Sequence, residues 1–108
     1  MNFSKDFNYN DPGDYLYPVE YYQFRQASTL NTFKVELLCF DEYYAFHLTI
    51  DRESIPSKYR FVTSNDFEIN EEFGFEDFDS SSKQVTLQRA IDIASAIAKK
   101  YCKNPVNQ

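Results

Sequence analysis

Glycine is nearly missing from this sequence. Gly13 and Gly74 are the only two in 108 residues, and each stands alone. A glycine-rich loop that cradles phosphate therefore cannot be built, and neither G-x-G-x-x-G nor G-x-x-x-x-G-K-[ST] occurs. Histidine occurs once, at His47. H-E-x-x-H and G-x-S-x-G are absent as well, so no familiar metal or nucleophile motif is present. The two cysteines, Cys39 and Cys102, lie far apart and form no C-x-x-C unit. They are expected as reduced thiols, with Cys39 buried between sheet and helix. Long apolar runs are missing too. The best candidates, Leu37–Phe40 and Ala90–Ala98, fall well short of the roughly 20 residues that a membrane span needs. No apolar segment follows Met1–Asp6, so no signal peptide and a cytoplasmic location are expected.

Positive charge is also scarce. The formal net charge is −6. This disfavours direct binding to nucleic acid, which needs a basic footprint to release counterions. It equally disfavours an anionic membrane surface.

What the chain does have is apolar and aromatic content, 43% and 19%, enough for one core at this length. Residues 1–14 are polar and end in Asp11-Pro12-Gly13-Asp14, which is turn chemistry. They are expected as an arm leading into a single domain over 15–108. Residues 15–26 are rich in Tyr and Phe and read as a strand, with Pro18 marking an edge. Residues 32–40 alternate, with Phe33, Val35, Leu37 and Cys39 on one face. Residues 43–50 alternate again, with Tyr44, Phe46, Leu48 and Ile50 facing together and Ala45, His47 and Thr49 opposite. Two such runs around Asp41-Glu42 predict a hairpin. Tyr59–Thr63 reads as a further strand that Phe67–Ile69 would continue or follow, and 70–82 reads as irregular.

The C-terminal region carries a helical stripe: Leu87, Ile91, Ala94, Ala98 and Tyr101, flanked by Ala90, Ile93 and Ile97. Ser81 with Gln84 fits a capping box, and Asn104-Pro105 is a stop. The spacing predicts a helix over 83–103 with Ile91 at its centre. The expected fold is α+β: an antiparallel sheet of about four strands covered on one face by this helix.

Charge is unevenly placed. Between Phe61 and Ser82 lie Asp66, Glu68, Glu71, Glu72, Glu76, Asp77 and Asp79, with no Lys or Arg. The other 86 residues hold 10 acids and 11 bases, so this segment accounts for the whole imbalance. The same segment contains Phe61, Phe67, Phe73, Phe75 and Phe78. Aromatics supply anchoring area at an interface and charge supplies steering. Asp66, Glu68, Glu71, Glu72, Phe73, Phe75, Glu76, Asp77 and Asp79 are therefore partner-binding candidates for a protein with a basic surface. The opposing reading is that the phenylalanines pin the loop beneath the helix and the acids are merely solvated.

Tyrosines crowd the first 22 residues, and Tyr21 and Tyr22 join the candidates because half of a strand faces away from the core. Asp66, Glu68, Asn70 and Glu72 alternate like the start of a calcium loop, but the Gly wanted at the sixth position is Glu71 and the Glu wanted at the twelfth is Asp77. Neither a metal site nor a cofactor is expected. His47 and Cys39 fall on different strands, with no base–nucleophile pattern around them. Carboxylates come only in runs, which give no reason for one to differ in pKa from its neighbour. No catalytic residue is assigned.

In size, acidity and missing catalytic residues the chain resembles small acidic inhibitor proteins of bacteria and phages. These include immunity proteins that neutralise nuclease toxins and phage proteins that block nuclease-based defences. The resemblance implies a non-enzymatic inhibitor that blocks the basic groove of a nuclease or other nucleic-acid-handling protein. Two other readings stand beside it. One is an assembly module, a homodimer through the Tyr-rich edge strand. The other is a small-molecule-binding or enzymatic α+β domain lined by Tyr and Phe.

Overall fold

The computed structural model describes residues 17–26 and 31–101. The expected arm over 1–14, Tyr15, Cys102 and the stop at Asn104-Pro105 lie outside the described residues. Among the described residues, four strands form one antiparallel sheet in the order β1 (Val19–Gln26), β2 (Asn31–Cys39), β3 (Tyr44–Ile50) and β4 (Phe61–Thr63). Helix α1 (Phe67–Phe73) follows β4, and the long helix α2 (Lys83–Tyr101) closes the described part of the chain. The fold is α+β, with α2 lying against β3 and β2.

Register follows from the side-chain alternation. Val35 pairs with Leu48 and Leu37 with Phe46, so two apolar rows share one face. A one-residue slip would expose every one of them. Phe33, Val35, Leu37, Phe46, Leu48, Ile50 and Val62 are all buried. Cys39, in step with that row, is only half-buried at the strand's end, short of the full burial expected. Its Sγ lies 3.8 Å from the Leu37 carbonyl, and desolvation pushes the thiol pKa up.

Helix α2 is rotated relative to expectation. Its buried line is Thr86, Ala90, Ile93, Ala94, Ile97 and Ala98, whereas Leu87 and Ile91 are half-buried at its flank. Alanines at 90, 94 and 98 let the helix axis approach the sheet closely, and Ile93 and Ile97 fill the space between. The N-cap differs as well. Ser82, not Ser81, accepts a hydrogen bond from the Val85 N–H through Oγ at 3.2 Å. Ser81 instead donates to Asp79 Oδ1 from its backbone and its hydroxyl. Lys83 opposes the helix dipole in the first turn, but Glu20 of β1 meets its Nζ at 2.7 Å. That contact, with a bond from the Tyr22 hydroxyl, holds the Glu20 carboxyl below its ordinary pKa.

Residues 67–73 form a helix, which corrects the expectation of a strand continuation followed by irregular chain. Asp66 Oδ1 accepts from the Ile69 N–H at 3.2 Å and caps the start. Gly74, at φ 75°, ends it. The Gly74 N–H reaches the Glu71 carbonyl and the Phe75 N–H reaches the Asn70 carbonyl at 2.7 Å, which is a Schellman closure. Ile69 and Phe73, four residues apart, face the core together.

Candidate interaction surface

Helix α1 and the loop after it carry the acidic segment, and the structure divides its charges into two groups. Asp66 caps α1. Asp79 caps the turn before α2, and its two bonds from Ser81 hold its carboxyl below the ordinary range. Glu72 is the third acid with a structural partner. It accepts the Tyr59 hydroxyl at 2.6 and 2.7 Å and the Lys100 Nζ at 2.6 Å, with the Lys58 Nζ at 3.8 Å. Lys100 first and Tyr59 second pull the Glu72 pKa down, and the same contacts raise those of Tyr59 and Lys100. Glu72 thus ties α1 to α2 and to the 57–59 turn.

The second group is Glu68, Glu71, Glu76 and Asp77. All four are exposed, and none forms an ion pair among the described residues. Glu71 sits in the last turn of α1, where no base answers it and the dipole disfavours an acid.

The phenylalanines divide in the opposite sense to the one expected. Phe73 and Phe75 are half-buried, as is Phe78, all packed against the core. The Arg89 guanidinium lies 4.9 Å from both the Phe75 and Phe78 ring centres, clamping the loop onto α2. Phe73 meets the Tyr59 ring at 6.1 Å. These rings pin the loop. The phenylalanines of this segment left in solvent are Phe67, 74% exposed at the start of α1, and Phe61, 52% exposed on β4. The outward position of Phe67 becomes legible only once 67–73 is read as a helix, because Ile69 and Phe73 then claim the inner face.

The two tyrosines also part. Tyr21 is 73% exposed on the sheet face away from α2. Tyr22 points to the core face beside Phe24 and donates its hydroxyl to Glu20. His47 pairs across the sheet with Glu36, its Nδ1 3.5 Å from Oε1, and its ring sits 5.3 Å from Phe61. Strand parity places His47 on the outer face and Cys39 on the inner one, so the two cannot act as a pair. Asp66 caps α1 and Glu68, Asn70 and Glu72 fall on it two residues apart, so that successive members of the set turn by about 200° rather than converge. Among the described residues, no three His, Cys, Asp or Glu gather as metal ligands. No described helix is long and apolar enough to cross a membrane.

A cavity of about 370 Å³ opens between the start of β3, α1 and the 76–80 loop, with Tyr43, Phe67, Asn70, Glu76, Asp77 and Arg89 on its walls. No protein-family model matches this chain, and no curated protein and no solved structure matches it.

Proposed function

We propose that this chain is a non-enzymatic protein-binding domain of the inhibitor type. Its acidic surface occupies a basic groove of the sort nucleic-acid-handling proteins present. The observation that carries the reading is the second group of acids. Glu68, Glu71, Glu76 and Asp77 are exposed and unpaired, and Phe67 stands in solvent beside Glu68 and one helical turn from Glu71. Glu68, in the first turn of α1, suits the helix dipole, whereas Glu71 works against it. An acidic rim around an aromatic anchor complements a cationic surface, steering association and suppressing anionic competitors. The test begins with capture of the partner from the native host. The purified partner is then titrated with wild type and with Phe67→Ala. Truncation is expected to weaken binding at least five-fold, and the bound domain is expected to displace nucleic acid from the partner. Unchanged affinity, or a partner that keeps its nucleic acid, contradicts the reading.

A second reading rests on Tyr21. Among the described strands β1 lies at one edge of the sheet and exposes this ring, and an edge strand is a template for pairing with another chain. A homodimer through β1 predicts a concentration-dependent sedimentation coefficient that Tyr21→Lys abolishes. A monomer at all concentrations removes it.

A further inference from the structure

We infer that β1 pairs antiparallel with β1 of a second copy about a two-fold axis at Gln23, which sets Tyr21 of each copy beside Arg25 of the other. The inference rests on the second reading above, a homodimer through β1, and gives it a register and a pair of contacts. The hydrogen-bond phase of the sheet decides which groups can serve. In an antiparallel sheet the backbone groups of successive residues point to opposite neighbours. The Cys39 N–H donates to the Pro18 carbonyl at 2.9 Å, so the even residues of β1 turn toward β2. The far side of the sheet agrees. The Ile50 N–H donates to the Arg60 carbonyl at 2.8 Å and the Ser64 N–H to the Phe46 carbonyl at 3.0 Å, so the even residues of β3 turn toward β4. Its odd residues then bond the even residues of β2, and the odd residues of β2 are left for the even residues of β1. Val19, Tyr21, Gln23 and Arg25 therefore aim their N–H and C=O groups away from every described strand.

This edge lacks the guards that keep edge strands apart. Strand β1 pairs with β2 over eight residues without a bulge, and it holds neither lysine nor proline. Its one inward charge, Glu20, is met by Lys83 at 2.7 Å, so it does not repel a neighbouring strand. Among the described strands the other edge is β4, only three residues long, and a short strand is itself a guard. The strand is also complementary to itself, which points to a second copy. With Gln23 opposite Gln23, the exposed Tyr21 and Arg25 meet twice on the outer face. A guanidinium lies well on a tyrosine ring. On the inner face Tyr22 meets Phe24 twice, both half-buried rings at the rim of the core, and such cross-strand aromatic pairs stabilise a sheet. No like charges come opposite each other. A slide in one direction sets Arg25 against Val19, and a slide in the other carries Tyr21 past the end of the partner strand.

The test uses the full chain. Sedimentation velocity should show a dimer fraction that rises with concentration. Tyr21→Lys sets an ammonium against a guanidinium at both pairs and should weaken the dimer at least ten-fold. Arg25→Glu alone should weaken it at least three-fold. The two together oppose Lys with Glu and should return the dimer to within three-fold of wild type. Residue-resolved amide exchange of the wild type reads the hydrogen bonds themselves and needs no variant. The Tyr22 and Phe24 amides should exchange slowly at every concentration. Those of Tyr21, Gln23 and Arg25 should slow at least ten-fold only where the dimer forms. If these odd amides slow but the double substitution fails to rescue Tyr21→Lys, the register is overturned and the β1 homodimer stands. A dimer that every variant retains, with the odd amides still fast, overturns both. A monomer at every concentration also overturns both, and slow odd amides in that monomer assign the edge to another segment of this chain.

Discussion

The contact between the sheet and α2 and the acidic segment over 61–82 hold their residues in place by different means. Between sheet and helix, nearly every inward side chain is apolar and its position follows from packing. In the acidic segment, residues of one chemical type have opposite fates. Glu71 and Glu72 are neighbours and both carry a carboxylate. The Glu72 carboxylate binds Tyr59 and Lys100, and the Glu71 carboxylate binds nothing described. Phe67 and Phe73 bracket the same short helix, and only Phe73 reaches the core. A region built by packing tolerates little change anywhere. The acidic region should be sensitive at its fastened residues and indifferent at its free ones.

The core side of that contrast predicts the largest stability effects. Ile97, fully buried in α2, should cost about 3 kcal/mol on truncation to Ala. Ile91→Ala, at the half-buried flank, should cost about half as much. Urea denaturation checks both, and equal losses would mean that the buried line of α2 is broader than Ala90, Ile93 and Ile97. Next in size is Gly74. Its left-handed φ of 75° disfavours any side chain even though a Cβ there meets only open space. Gly74→Ala should cost about 1–2 kcal/mol, all of it from the backbone. A neutral result in the same assay would mean that the end of α1 is not held in this closure.

Stability against pH separates the fastened acids from the free ones. The Glu72 pKa lies below its ordinary 4.5. Its contribution is therefore complete above that value and is lost as the pH falls through the depressed one. Tyr59 and Lys100 are shifted up, so their share is present through neutral pH and lost only as strong alkali deprotonates them. Glu72→Gln should lower Tm at pH 7, and the gap to wild type should narrow in acid. Glu71→Gln should leave Tm at pH 7 level or slightly higher, because it removes an acid from a helix C-terminus. Thermal melts at pH 7 and pH 3 check both, and identical behaviour of the two variants would erase the distinction.

The strands were legible in the sequence because each apolar row appears at every second residue in β2 and β3. The existence of α2 was legible for the same reason at helical spacing. Its rotation was not. Hydrophobicity alone favours the larger Leu87 and Ile91, whereas close approach to the sheet favours the smaller Ala90, Ala94 and Ala98. Helix α1 was missed because two turns place only Ile69 and Phe73 inward, too few to display a period. Asp66 as cap and Gly74 as stop were the available signals. The division of the acids was out of reach for a plain reason. The partners that fasten Glu72 lie 13 and 28 residues away in the chain, and only the fold brings them together.

Neutralising the free acids while sparing the fastened ones tests the central claim most directly. The variant carries Glu68→Gln, Glu71→Gln, Glu76→Gln and Asp77→Asn and keeps Asp66, Glu72 and Asp79. Its melting temperature should stay close to that of wild type, because losing Glu68 from the first turn of α1 offsets losing Glu71 from the last. Titration calorimetry against the captured partner at two salt concentrations should show at least ten-fold weaker binding, about 1.4 kcal/mol, and a shallower dependence on salt. Wild-type affinity with an unchanged salt slope would contradict the account.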